Sequence, residues 1–241
     1  MRTNRILMIT RYVCFAALRL SDEQLKNFAL ADIEAKLQSN GSTFPKFTGM
    51  PFPNDLIVSD GQNKLIMDEL SYYHEQLQKE FQDLYPRLTD EQRGIYNEIM
   101  SAVLRDKGGV FFVYGYGGTG KTYLWRLLCV ALRRKGEIVL PVASSGIASL
   151  LLPRGTTAHS KFGLPLNVDE NSTCHGIKPG SRLIGLLMKT KLIIWDEAPV
   201  MHKYCFQALD RSLKDVMQPI TPANHHIPFG GKFVVFVGDL R

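Results

Sequence analysis

The sequence has no apolar run approaching the roughly 18 residues that a membrane-crossing helix needs, and no membrane partner is expected of it. Cysteine is scarce. Cys14, Cys129, Cys174 and Cys205 fall without any C-x-x-C pair, which suits a reduced intracellular compartment and argues against a disulfide framework. Cys174-His175 and His202-x-x-Cys205 bring together metal-binding residue types. Their separation, and the lack of paired ligand spacing, make zinc a minor alternative. No internal repeat or low-complexity tract is present, which excludes a repeat architecture. Acidic residues are missing altogether from residues 1–20.

What is present is a chain of 241 residues, 45% hydrophobic, with a mean hydropathy of −0.08. That size suits one large domain, or a domain with an extension. The net charge of +6 is unevenly spread. Residues 1–20 carry four arginines, residues 21–106 hold 8 basic and 15 acidic side chains, and residues 107–241 hold 17 basic and 8 acidic. The basic C-terminal part is what a surface facing phosphodiesters would need, although solvated lysines scattered over a globular surface give a similar count.

Within that basic part, Gly115-Tyr116-Gly117-Gly118-Thr119-Gly120-Lys121-Thr122 matches the phosphate-binding loop pattern G-x-x-x-x-G-K-[ST] in full. Glycines let the backbone curl so that several N–H groups point at phosphate oxygens. Lys121 is spaced to reach the β- and γ-phosphates, and the Thr122 hydroxyl to ligate Mg²⁺. The loop follows an apolar run, residues 110–114, and opens a helical pattern through Leu124, Trp125, Leu128 and Leu132. Strand, glycine loop and helix are the context the motif requires.

A second apolar run, Lys191-Leu192-Ile193-Ile194-Trp195, ends in Asp196-Glu197. Buried parallel strands read as continuous apolar runs, and ligands gather at their carboxyl ends. Asp196 is suited to hold Mg²⁺, and Glu197 to orient and deprotonate water. The pair favours an enzyme that hydrolyses its nucleotide over a kinase. No N-K-x-D guanine-reading motif occurs, since Asn63-Lys64 leads into Leu65-Ile66; ATP is therefore expected over GTP. Upstream, Thr89 and Gln92 form a T-x-x-Q capping box opening a helix with Ile95, Ile99 and Val103 on one face. Gln92 also has a second reading, as a hydrogen-bonding partner of the adenine edge.

From Leu88 onward the chain resembles the Pif-type superfamily 1B DNA helicases, in particular their plant and Helitron-transposon branch. The resemblance is carried by residues 88–92, the phosphate loop, Ala143 to Leu152, Thr156-Thr157-Ala158-His159-Ser160-Lys161-Phe162-Gly163-Leu164-Pro165, Ile194 to Pro199, Phe229 to Lys232, and Gly238-Asp239-Leu240-Arg241. The T-A-H-S-x-F segment is its most specific part. The resemblance implies an ATP-dependent DNA helicase that unwinds 5′ to 3′ and serves repair, recombination and telomere maintenance. It implies that Ser144, Ser145 and Gly146, with His159 and Phe162, line a groove for single-stranded or forked DNA. Small hydroxyls and N–H groups can grip phosphates, and aromatic faces can stack on bases; His159 and Phe162 could equally be packing a core. It also implies a nuclear location, with the mitochondrion as the alternative. The interleaved Arg2, Arg5, Arg11 and Arg19 look transit-peptide-like, but a piece starting inside a larger protein reads the same way, and that reading is preferred. In the family a glutamine follows in G-D-x-x-Q, one residue past Arg241. A fragment without the second RecA-like domain and its arginine finger is therefore expected, one that binds nucleotide, hydrolyses it poorly and does not unwind alone.

The expected fold is α/β: a RecA-like P-loop NTPase domain over residues 87–241 with a parallel sheet and helices on both faces, preceded by a helical and loop extension over residues 1–86. Strands are expected at 110–114, 137–143, 191–195 and 232–237. Helices are expected over Ser21–Asn40 and through Leu70, Leu77, Phe81 and Leu84, with loops at 42–60 and 166–180. Two other functions compete with the motor: an AAA-type or transposition ATPase acting on proteins, and a catalytically weak nucleic-acid-binding remnant.

Overall fold

The computed structural model describes residues 63–105, 108–217 and 226–239, together with residues 26, 29, 30 and 33, which are helical. Apart from those four, the helix read over Ser21–Asn40 and the loop at 42–60 lie outside the described residues. The chain divides into two compact units, residues 1–71 and residues 72–241. In the first, α1 (Lys64–Leu70) starts under an Asn63 cap whose side chain accepts from the Leu65 N–H. It stops where Ser71 Oγ donates to the Asp68 carbonyl. The single helix read through Leu70 and Leu77 is thus two helices. Side-chain hydrogen bonds to the backbone compete with helix continuation, and Ser71 takes that alternative.

The second unit opens with α2 (His74–Leu84), then a 3₁₀ turn at Tyr85–Arg87, and α3 (Asp90–Arg105). It begins earlier in the chain than Pro86 because α2 packs on α4 (Lys121–Arg133). Tyr123 donates its hydroxyl to the Leu84 carbonyl at 2.6 Å, Arg126 Nε donates to Glu80 at 2.8 Å, and the Arg134 guanidinium lies 3.8 Å over the Phe81 ring.

The remaining elements alternate: β1 (Gly109–Tyr114), α4, β2 (Ile138–Ala143), α5 (Gly146–Ser149), β3 (Thr156–Thr157), α6 (Ala158–Phe162), α7 (Arg182–Lys189), β4 (Thr190–Asp196), α8 (Lys203–Met217) and β5 (Phe233–Gly238). Alternating strands and helices need crossover connections, which make the sheet parallel. It has five strands in the order β1-β5-β4-β2-β3, every pair parallel. Residues 166–180 hold no helix or strand, as expected.

β4 sits at the centre, and Leu192, Ile193, Ile194 and Trp195 are fully buried. Leu192 and Ile194 join Val235, Val237 and the apolar faces of α3 and α4 in one cluster. Trp195 packs with Phe236, with Phe206 of α8 at 4.8 Å between ring centroids, and with Phe162 of α6 at 6.0 Å. Both faces of the sheet are therefore covered, as successive strand residues point to opposite sides. β1 differs. Its apolar run alternates between half-buried and exposed, leaving Val110, Phe112 and Tyr114 outward, because it is an edge strand. The two-residue β3 has no counterpart among the expected strands; it is too short to show a period of two in sequence. Among the described residues, no helix is long and apolar enough to cross a membrane.

Candidate functional site

The phosphate loop runs from the end of β1 to the start of α4, where Gly120 caps the helix in a left-handed conformation, φ 83°. The positive φ favours glycine, and a Cβ there would lie 2.4 Å from Gln92 Nε2 and displace that side chain from the loop. The positive end of α4 lies at this turn, a geometry suited to an anion. Lys121 Nζ donates to the Gly115 and Tyr116 carbonyls and pairs with the Asp239 carboxylate. Thr122 is exposed on the first turn of α4, and Tyr116, Gly117, Gly118 and Thr119 are exposed around the loop.

Gln92 does two things at once. Its carbonyl accepts from the Thr89 N–H and Thr89 Oγ1 accepts from the Gln92 N–H, which is the capping box. Its amide nitrogen also donates to the Thr119 carbonyl at 3.1 Å, tying α3 to the loop. Between them lies a cleft of about 730 Å³ whose walls include Gln92, Ile95, Phe112, Tyr114, Gly120 and Lys121.

β4 delivers Asp196 and Glu197 beside the loop, and β5 delivers Asp239 to the same sheet end. Gly238 lets β5 come close: a Cβ there would meet Pro199 Cδ at 2.2 Å. Glu197 adopts φ 52°, ψ 37°, a left-handed conformation uncommon outside glycine and frequent at working sites. Burial pushes the Asp196 carboxyl above its ordinary value; the Glu197 N–H hydrogen bond opposes this, the Glu197 charge adds to it, Lys121 opposes it, and Asp239 adds to it. Lys121 is paired with Asp239, and the charges of Glu197, Lys121 and Asp239 all act on Asp196. Among the described residues, no three His, Cys, Asp or Glu side chains converge to hold a metal by themselves. Thr122 and Asp196 supply the hard oxygens Mg²⁺ prefers, and Mg²⁺ usually completes its shell with phosphates and water.

The raised Asp196 value has a sign for stability. The neutral carboxyl is favoured in the fold, so its stabilising contribution is present below the ordinary Asp range and lost as pH rises through the raised value. Asp196→Asn is accordingly expected to raise the nucleotide-free melting temperature at pH 7. The difference from the parent should shrink towards about pH 4, near the ordinary Asp value. A lower melting temperature for the variant at pH 7 would contradict this.

The residues expected to line a nucleic-acid groove separate into two groups. Ser144, Ser145 and Gly146 leave β2 directly beside Glu197: Trp195 Nε1 donates to Ser144 Oγ at 3.0 Å, and Ser145 Oγ donates to Glu197 Oε2 at 2.9 Å. Gly146 is exposed, and His159 on α6 is half-buried. Phe162 is a correction. Its ring is fully buried against Trp195, so it has no face to offer a base, and it anchors α6 to the sheet instead. Phe162→Ala is expected to cost about 3–5 kcal/mol of stability. Chemical denaturation measures this; a loss below about 1 kcal/mol would mean that the ring is not a core side chain.

Asp239, the partner of Lys121, stands out in the sequence only as part of a motif. A local signal for it exists, since it ends a third apolar run as Asp196 ends the second, and strand C-termini collect ligand-binding groups. The pairing of Ser145 with Glu197 has no local signal, because the partners lie 52 residues apart. Cys129, Cys174 and Cys205 are buried and form no disulfide among the described residues, and burial raises the Cys174 thiol to about 11.

A sequence profile described as PIF1-like helicase matches residues 87–241. The chain belongs to the PIF1-like helicase family. It is 34% identical over 137 residues to the ATP-dependent DNA helicase PIF4 of Trypanosoma brucei brucei, covering 55% of this chain and 16% of that protein. It is 29% identical over 156 residues to human ATP-dependent DNA helicase PIF1, covering 64% and 22%. The Bacteroides Pif1 helicase solved with ADP-AlF3 and single-stranded DNA matches with a TM-score of 0.50 at 30% identity, over 64% of this chain and 32% of that one. The chain therefore spans between about a sixth and a third of the lengths of these PIF1-like helicases.

Proposed function

We propose that this PIF1-like chain is the first RecA-like ATPase domain of a DNA helicase, coupling ATP hydrolysis to 5′-to-3′ movement on single-stranded and forked DNA. The observation that carries the reading is the convergence at one sheet end of Lys121 and Thr122 from the phosphate loop, Asp196 and Glu197 from β4, and the Ser144–Gly146 turn bonded to Glu197. Lys121 exchanges the Asp239 carboxylate for the β- and γ-phosphates, a swap of one anion for a more strongly charged one. Thr122 and Asp196 would hold Mg²⁺, which would supply positive charge against the charge that develops on the phosphates. Glu197 orients water and takes its proton. Gln92 has two N–H donors and spends one on Thr119, which leaves the second for the adenine edge.

Nucleic acid follows the turn at Ser144–Gly146 and the half-buried His159, beside the basic surface of residues 107–241. By resemblance, the wall opposite and an arginine finger belong to a second RecA-like domain. Such a finger is worth about 10³–10⁵ in turnover in related phosphoryl transfer. Affiliation to the plant and Helitron branch, roles in repair, recombination and telomere maintenance, and a nuclear location rest on the family resemblance.

Fluorescence anisotropy of labelled single-stranded and duplex oligonucleotides, with and without a non-hydrolysable ATP analogue, tests this at about 50 and about 200 mM salt. Preference for single strands that responds to nucleotide is the expected result. Salt-dependent binding indifferent to both would sink the motor and leave a basic remnant. ATP turnover that ignores DNA would favour an ATPase acting on proteins.

A further inference from the structure

The exits of β2 and β4 are stitched together more closely than sheet pairing requires. Their last paired residues are Ala143 and Asp196. Beyond that pair, the Ser144 N–H donates to the Asp196 carbonyl at 3.0 Å, and the Trp195 indole donates to Ser144 Oγ. Ser145 Oγ donates to Glu197 Oε2 at 2.9 Å. The same Ser145 oxygen accepts the Ala148 N–H at 3.2 Å, which makes it the N-cap of α5.

A hydroxyl has one proton and two lone pairs. Ser145 spends its proton on the carboxylate and a lone pair on the helix, giving a continuous chain from the Ala148 N–H through Ser145 O–H to Glu197. Each bond in such a chain polarises the next, and the bond to the carboxylate is charge-assisted. The short helix at the other end and the turn that follows it present apolar side chains to solvent: Ile147, Leu150 and Leu151 are 82%, 84% and 66% exposed. A surface that can be touched from outside is therefore one hydroxyl away from the carboxylate.

We infer that Ser145 is a positioning residue for Glu197, fixing the carboxylate beside the nucleotide and making its placement depend on the state of α5. This rests on the reading of Glu197 as the water-activating group. It assigns Ser145 to the coupling between the two sites, where the family resemblance alone would make it a phosphate contact. A base held by a third group is the general arrangement of activated nucleophiles. Here that group also caps the helix beside the nucleic-acid turn, so DNA seated against α5 tightens or loosens the base through a single bond.

Two measurements on the full-length protein test this. In the first, Ser145→Ala is expected to lower DNA-stimulated kcat for ATP about tenfold, the lower end of the effect of removing an orienting partner. The KM for ATP should stay within about twofold, and Ser145→Thr, which keeps the hydroxyl, should restore turnover. Unchanged kcat in Ser145→Ala, or equal loss in Ser145→Thr, overturns the inference. In the second, amide hydrogen exchange at Ala148 is followed without any need for turnover. Glu197→Ala should speed it several-fold, as Ser145→Ala does, because the cap is braced by the carboxylate. A simple helix cap predicts an effect of Ser145→Ala alone, and that result also overturns the inference. A parent enzyme with no turnover, or one undiminished by Glu197→Gln, would instead refute the role given to Glu197, and the exchange at Ala148 would still decide whether Ser145 links the two elements.

Discussion

Lys121→Ala is expected to weaken ATP binding at least 100-fold while leaving the fold intact. Lys121 lies at the first position of α4 with its ammonium shared among the Gly115 and Tyr116 carbonyls and the Asp239 carboxylate. Each partner is part of the phosphate cradle or of its rim. When the triphosphate enters, the ammonium gains charge-assisted bonds worth about twice a neutral one, and losing two of these accounts for about 3 kcal/mol, two decades in affinity. Removing the side chain exposes no core, because Asp239 is 43% exposed and can be hydrated instead. Titration with a fluorescent ATP analogue, alongside a melting curve, separates the two effects. Affinity within about threefold of the parent in a folded variant would show that the phosphate site lies elsewhere.

Glu197→Gln is expected to behave oppositely, keeping ATP affinity and losing turnover by about 10²–10⁴, the usual contribution of a positioned base. Glutamine keeps the size and the acceptor that Ser145 Oγ uses, so the left-handed backbone at residue 197 has no new strain to absorb. What it lacks is the basicity to take a proton from water. Measurement of kcat together with nucleotide affinity distinguishes this from misfolding. Turnover within a factor of about three of the parent would transfer the role to another carboxylate, such as Asp239 on the same sheet end. The opposite pattern, with affinity lost and kcat kept, would recast Glu197 as a binding group.

Lys121 and Glu197 are both legible in the amino-acid sequence, because each belongs to a contiguous segment whose spacing encodes its geometry. A glycine loop between an apolar run and a helix, or two acids at the end of a buried strand, needs only local backbone rules to be placed. The Thr89–Gln92 capping box is legible for the same reason, and both readings of Gln92 are compatible with the position it holds between Thr89 and Thr119. The strands expected at 110–114, 137–143, 191–195 and 232–237 match β1, β2, β4 and β5 to within one residue at each end. Legibility fails at Ser71, where one side-chain hydrogen bond ends a helix, and at β3, which is too short to show a pattern.

Phe162 shows a different limit. An aromatic in a short polar helix reads equally well as a surface for bases or as an anchor, and only the packing of Trp195, Phe206 and Phe236 on one face of the sheet settles it as an anchor. The amino-acid sequence by itself determined the parallel α/β class, the phosphate loop, the acid pair and the family, because these are written in short-range spacing. Tertiary structure decided the strand order with β1 at the edge, the pairing of Lys121 with Asp239 across 118 residues, and the bond from Ser145 to Glu197. Those contacts are made where crossover connections bring the carboxyl ends of β2, β4 and β5 side by side, and residues so far apart in the chain carry no local trace of one another.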